Sequence, residues 1–180
     1  IKNQFTVLKE LVKEFMVADE DLTMQQVIGK ILLENKKTIS TAESCTGGSI
    51  ASLITSVAGS SDYFKGSVVS YSNQVKQELL GVQKETLDAY GAVSEQTARE
   101  MLSGILEQMK TDFGIAVTGI MGPGGGSEEK PVGTVYVAVG NKENQVVQKF
   151  KQRFSRDKNI EVTSVMALNL MRKFLVNDES

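Results

Sequence analysis

The chain has 180 residues, a formal net charge of −2, 41% apolar and 23% charged residues, one cysteine and no histidine. Those values suit one globular domain with a sizeable core. They exclude a disulfide framework, leave no ligand set for zinc and lack the basic excess of a nucleic-acid binder. No apolar run reaches the roughly 18 residues of a membrane span, and no signal-peptide pattern opens the chain, so a cytoplasmic protein is expected.

Val7, Leu8, Leu11, Val12, Phe15 and Met16 recur with helical spacing, so the chain is expected to begin with a helix. Asp19-Glu20-Asp21 reads as a connector. Because the chain opens on Ile1, residues 1–21 are expected to be a helical tail or linker from a preceding domain, with 22–180 forming the domain proper. Thr23 and Gln26 make a capping box with Leu22 and Val27 as its staple. The following helix should bury Met24, Val27, Ile28, Ile31 and Leu32. Thr38–Ala42 reads as a strand, and a helix after Gly48 turns Ile50, Ala51, Ile54, Val57 and Ala58 inward until Gly59 ends it.

Ser67–Tyr71 reads as a buried strand, and Asn73 as the cap of a short helix carrying Val75, Leu79 and Leu80 up to Gly81. Ser94 caps the clearest helix, with Ala98, Met101, Leu102, Ile105, Leu106 and Met109 on one face. Phe113–Thr118 is a strand, and the glycine-rich loop Gly119–Gly133 follows. Thr134–Val139 turns at Asn141–Asn144 into Gln145–Phe154, close enough for an antiparallel hairpin. A last helix, from about Asp157 to Leu175, is expected to bury Ile160, Val165, Met166, Leu170 and Phe174. This alternation predicts an α/β class, a three-layer α/β/α sandwich around a mixed, mostly parallel sheet with a C-terminal antiparallel hairpin.

Ligands in such sheets bind beyond the carboxyl ends of the parallel strands, where Ser44, Tyr71 and the 119–133 loop would converge. Thr41-Ala-Glu-Ser-Cys-Thr-Gly-Gly48 places Ser44 at a sharp turn before a helix. There it is either a nucleophile beside unpaired amides or simply a cap. Without histidine, an attacking Ser44 needs a lysine, a carboxylate or a metal-bound group as its base. Lys76 lies in the first turn of a predicted helix, where the dipole and burial both favour the neutral amine; the alternative is a solvated lysine. Cys45 is either a thiolate activated by the helix end or a buried inert thiol. An all-carboxylate magnesium site has no acidic cluster to support it, and no cofactor is indicated.

In the second glycine-rich segment, Gly122, Gly124, Gly125, Gly126 and Ser127 would let amides approach an anion. It matches neither a Walker A loop nor a dinucleotide fingerprint. Ser127-Glu-Glu-Lys130 copies the Ser-x-x-Lys pattern of β-lactamases, but Pro131 disfavours helix at Lys130 and no companion motif is present. Lys149, Lys151 and Arg153 alternate along the last strand as edge guards, while Arg156 and Lys158 start a helix where phosphate could bind.

The segments 41–48, Tyr71-Ser-Asn73 with Lys76, Gly91-Ala-Val-Ser-Glu95 and Gly122 to Thr134 together resemble the CinA C-terminal domain family. The resemblance covers roughly Leu22 to Leu175. It implies a PncC-type nicotinamide-nucleotide amidohydrolase that converts nicotinamide mononucleotide to nicotinate mononucleotide and ammonia. Ser44 would be the nucleophile, Lys76 the base and Tyr71 their support. The resemblance adds Lys158, at the position of an active-site arginine, and the reading of the residues themselves adds Cys45, Thr46, Gly47, Gly48, Asn73, the Gly122–Ser127 loop and Arg156 as expected substrate-binding residues.

One run departs from the family pattern Phe-Ser-Gly-Asp-Arg: here Phe154-Ser-Arg-Asp-Lys158 sets Lys158 at the arginine's position and Arg156 at the glycine's. A small-molecule pyridine mononucleotide, a homo-oligomer and a covalent N-terminal domain are the expected partners, with no direct nucleic acid and no membrane. A non-catalytic nucleotide-binding module in a competence or DNA-uptake assembly is the alternative.

Overall fold

The structure, a computed structural model, describes residues 21–178. The helix expected over residues 7–16 lies outside the described residues. Five strands form one sheet: β1 (Ile39–Glu43), β2 (Phe64–Val69), β3 (Phe113–Gly119), β4 (Thr134–Gly140) and β5 (Gln145–Lys151), in the spatial order β2-β1-β3-β4-β5. β1 pairs in parallel with both β2 and β3, while β4 runs antiparallel to β3 and to β5. Only β4 therefore runs against the rest, and the sandwich is of the expected class.

Helices α1 (Met24–Glu34), α2 (Ser49–Thr55) and α6 (Arg156–Asp178) cover one face of the sheet, over Ile39, Ile115, Val117, Val135, Val137 and Val139. Helices α3 (Asn73–Leu80), α4 (Lys84–Tyr90) and α5 (Glu95–Met109) cover the other. There, Ala42, Ala116 and Ala138 stand in one row across three strands, flanked by Val68 and Val147. Their small side chains let α5 lie close to the sheet, with Ala98, Met101, Leu102, Ile105 and Leu106 buried against them. Gln26 closes its half of the expected capping box at α1, accepting a hydrogen bond from the Thr23 amide at 2.9 Å.

Several elements differ from expectation. Helix α2 stops at Thr55, and Ala58 is exposed. The hydroxyls of Thr55 and Ser56 donate back to the carbonyls of Ala51 and Leu53, competing with continuation of the helix. β2 begins earlier and ends at Val69, and as an edge strand it is half-buried. The cap of α3 is Ser72, whose Oγ accepts from the Val75 amide at 3.2 Å, so Asn73 is the first helical residue. That helix buries Lys76 and Leu80, spaced i,i+4, and leaves Leu79 exposed. α4 was not foreseen.

The last helix packs the expected Ile160, Leu170 and Phe174, partly buried, against the core, but the centre of its buried face is Asn159, Thr163, Ser164, Ala167, Leu168 and Met171, and Val165 is exposed. Small and polar residues fit there because the helix crosses close above the sheet, and the Ser164 hydroxyl is satisfied by the Ile160 carbonyl at 2.8 Å. Hydropathy therefore reads the flank of the buried face and misses its polar centre. β5 ends at Lys151, with Lys149 and Lys151 exposed along the edge.

α3 and α5 cross at Gly104, where an added Cβ would stand 2.0 Å from the Leu80 carbonyl oxygen. A backbone atom cannot yield as a flexible side chain would. Gly104→Ala is therefore expected to destabilise the fold by about 2–3 kcal/mol, read as a lowered urea midpoint. An unchanged midpoint would show that the two helices are not held in this contact.

Candidate active site

β1 ends at Glu43, and the chain turns through Ser44-Cys45-Thr46-Gly47-Gly48 into α2. Gly47 and Gly48 adopt φ of 62° and 99°, a region that disfavours side chains, so the turn needs glycine at both positions. Ser44 is held by its amide, which donates to the Val117 carbonyl at 3.0 Å on the neighbouring strand. Lys76 reaches over from the first turns of α3. Its Nζ lies 2.9 Å from Ser44 Oγ and 2.6 Å from the Ser70 carbonyl oxygen.

Lys76 is 1% exposed. Burial pushes its pKa down from 10.5 to about 8, so a substantial fraction is neutral amine slightly above neutral pH. Cys45 goes the other way: burial raises its thiol to about 12, which leaves it protonated and inert as a nucleophile.

A pocket of about 180 Å³ opens over this pair. Ser44, Cys45 and Lys76 form its floor, Thr118, Gly119 and Met121 one side, Ala92 and Val93 an apolar wall, and Tyr71, Asn73 and Arg156 its rim. Arg156 bridges two parts of that rim. Its Nη1 donates to the Gly122 carbonyl at 2.8 Å and its Nη2 to the Tyr71 hydroxyl at 3.1 Å. Buried Asn159 aims this helix end, donating to the Met121 carbonyl at 3.0 Å and accepting from the Phe154 amide at 3.1 Å.

The expected site residues thus fall into two groups. Ser44, Cys45, Lys76, Tyr71, Asn73 and Arg156 converge on one pocket. Lys158 does not: it is exposed and pairs with Glu161 at 2.7 Å, because two positions along the helix turn it away from the pocket that Arg156 faces. Gly124, Gly125, Gly126 and Ser127 lie in an exposed loop away from the pocket lining, and Gly122 meets the site only through its carbonyl. Ser127 Oγ instead accepts from the Lys130 amide, and Lys130 Nζ donates to the Tyr90 carbonyl at 2.6 Å.

The amides expected to hold an oxyanion are also partly engaged, since Gly47 donates to the Ser44 carbonyl and Gly48 to Glu43. Thr46 directs its hydroxyl to Glu43 at 2.7 Å. Tyr71 is 64% exposed and bonded to Arg156 rather than to Ser44 or Lys76.

Gly119 and Met121 come from the 119–133 loop that was expected to converge here, whereas Thr118, Ala92 and Val93 were missed. Thr118 is the last residue but one of β3, so the strand-end rule points to it. Ala92 and Val93 sit in an irregular stretch whose position depends on α4. Among the described residues, no group of three or more His, Cys, Asp or Glu is placed to hold a metal ion, and no helix is long and apolar enough to cross a membrane.

A family model described as the CinA C-terminal domain matches residues 21–175. The chain belongs to that family. A CinA-like protein of Endomicrobium trichonymphae is 49% identical over 176 residues, covering 97% of this chain and 40% of the relative. A putative competence-damage inducible protein of Acetivibrio thermocellus is 44% identical over 164 residues, covering 91% and 40%. This CinA C-terminal domain thus spans about two fifths of the length of these relatives.

Solved structures match it along nearly their whole length. A competence/damage inducible protein from Agrobacterium tumefaciens has a TM-score of 0.80 at 39% identity, with 84% of this chain and 97% of that one covered. A CinA superfamily protein from Escherichia coli has a TM-score of 0.82 at 30% identity, covering 88% and 94%.

Burying Lys76 has a consequence for stability. Below pH 8 both folded and unfolded chains carry its proton, and the folded state bears the full desolvation penalty. Between about 8 and 10.5 the unfolded chain binds more protons, so this contribution to stability rises with pH. Lys76→Met should therefore gain stability relative to the unmodified protein at pH 7, with the gap narrowing by pH 10 in urea unfolding. A gap independent of pH would show that Lys76 is not desolvated.

Proposed function

We propose that this domain hydrolyses the carboxamide of nicotinamide mononucleotide to nicotinate mononucleotide and ammonia through a Ser44–Lys76 dyad, without metal. The observation that carries the reading is the 2.9 Å contact between Lys76 Nζ and Ser44 Oγ on the floor of a pocket, with the lysine pKa lowered to about 8. A chain without histidine has few other bases. The family resemblance supplies the substrate.

Nζ of the neutral amine donates a hydrogen bond to the Ser70 carbonyl, which leaves its lone pair free to accept the Ser44 hydroxyl proton. Oγ then bonds to the carboxamide carbon. The negative oxygen would rest on the amides of Cys45 and Thr46, which have no other residue's acceptor among those described. The residue after a nucleophile commonly supplies such a donor, worth about 3–4 kcal/mol. The Lys76 ammonium passes its proton to the leaving nitrogen, and ammonia departs from an acyl-Ser44 ester. Water gives a proton to Lys76 and its oxygen to the acyl carbon, and Ser44 Oγ leaves, recovering the proton. The enclosed volume is below the roughly 300–1,000 Å³ of drug-sized sites, which suits a pyridine ring inside with ribose and phosphate across the mouth. Arg156 stands at that mouth.

Ser44→Ala and Lys76→Ala should each lower ammonia release from the mononucleotide by roughly 10²–10⁴-fold, and the double variant should be no worse than either. Turnover should rise with pH through about 8 and ignore EDTA. Near-normal turnover by Ser44→Ala, or a strict need for added divalent metal, would refute the dyad. A protein that binds the nucleotide but releases no ammonia would instead be a non-catalytic nucleotide-binding module.

Arg156→Ala should raise KM for the mononucleotide roughly tenfold or more, with little effect on the dephosphorylated riboside. Lys158→Ala should leave both nearly unchanged. The reverse pattern would return the phosphate contact to Lys158.

A further inference from the structure

Glu43 immediately precedes the serine and is fully buried. Its carboxylate folds back under the turn. Oε2 accepts from Thr46 Oγ1 at 2.7 Å, from the Gly48 amide at 3.1 Å and from the Ile50 amide at 3.0 Å. Oε1 accepts from the Ala51 amide at 2.8 Å and, more weakly, from Thr41 Oγ1 at 3.4 Å. The cap position of α2 is Gly48, which has no side chain, so the first free amides of the helix are satisfied by a residue from the preceding strand.

Two consequences follow from the chemistry. The amides of the helix end are already taken by the Glu43 carboxyl oxygens, so it is not the anion site that its sequence position suggests. And both ends of the turn are tied to one carboxylate: it is covalently adjacent to Ser44 and hydrogen-bonded to Thr46, Gly48, Ile50 and Ala51. Bonds to a charged acceptor are short and strong and define geometry closely. The opposite side of Ser44 is held by its amide on Val117.

We infer that Glu43 is a positioning residue for Ser44: its carboxylate clamps the strand-to-helix turn so that Oγ is presented to Lys76 and to the pocket, and it takes no part in proton transfer. This rests on Ser44 being the nucleophile. Glu43→Gln keeps the size but sets an NH₂ group against amides that need an acceptor, so the clamp is half lost. Thr46→Val removes one hydroxyl donor and leaves the carboxylate in place, giving a milder version of the same defect.

Three readouts test the inference on the folded chain: ammonia release from the mononucleotide, labelling of Ser44 by a fluorophosphonate probe, and amide hydrogen exchange. Glu43→Gln should lower kcat and the labelling rate together by roughly 10–100-fold, with KM altered less than about twofold. The apparent pKa of the rate should stay where Lys76 sets it. Gly48, Ile50 and Ala51 amides should lose roughly tenfold or more of their protection, and Thr46→Val should fall between the two proteins.

Unchanged kcat and labelling in Glu43→Gln despite deprotected amides would overturn the positioning role. A shift in the pH profile of several tenths or more would overturn the exclusion from proton transfer. If the unmodified protein labels but releases no ammonia, the substrate reading fails while the labelling comparison still decides Glu43. If it does not label at all, the Ser44 nucleophile and this inference fall together.

Discussion

A lysine side chain buried almost completely, with a serine hydroxyl and a carbonyl oxygen as its hydrogen-bond partners, is the constraint around which this site is organised. An ammonium in such a place is costly to desolvate, and among the described residues neither of its hydrogen-bond partners is a carboxylate. The protein therefore gives up some stability at neutral pH to hold a group that readily sheds its proton. A carboxylate facing the amine would restore the lost stability and with it an ordinary lysine pKa. Glu43 precedes Ser44 in the chain, but its carboxyl oxygens are committed to the amides of α2 rather than to the amine.

The sheet explains why these groups meet. β1, β2 and β3 run in parallel, so their carboxyl ends deliver Ser44, the Ser70–Asn73 segment and Thr118 to one edge. Reversal at β4 carries the chain away and β5 brings it back, which sets the start of α6 and Arg156 at the same edge. The alanine row under α5 lets that helix lie close to the sheet, and α5 in turn fixes the Leu80 end of α3, from which Lys76 projects. Packing on the side of the sheet opposite α2 thus determines a distance in the pocket.

Arg156 gives the departure in this chain's sequence a physical meaning. The resemblance led to an expectation of the contact two positions later, at Lys158. In the structure that lysine points to Glu161, and a guanidinium from the first residue of α6 reaches the rim instead. The planar fork bonds a carbonyl and a phenol at once, which a lysine ammonium does with less geometric definition. Tyr71 accordingly belongs with this arginine on the rim.

Amino-acid order alone determined the strands β1, β3 and β4, the helices with strong apolar periodicity, the α/β class and the Ser44 turn. Each of these rests on local propensity and on glycines at fixed offsets. It also determined that any hydrolytic base would not be histidine. The face that α6 buries was only partly legible: Ile160, Leu170 and Phe174 pack against the core as expected, but Asn159, Thr163 and Ser164 are polar residues whose burial depends on close packing against the sheet. Nor was the use of the helix-end amides by Glu43, a bond between residues five to eight apart that depends on the chain's path through the turn. Whether Arg156 or Lys158 meets the pocket was decided only by the direction in which α6 starts, fixed by Asn159 on the Met121 carbonyl. The types of residue needed for chemistry can be read in sequence, but their distances and desolvation arise from contacts between segments far apart in the chain, and those only the tertiary structure supplies.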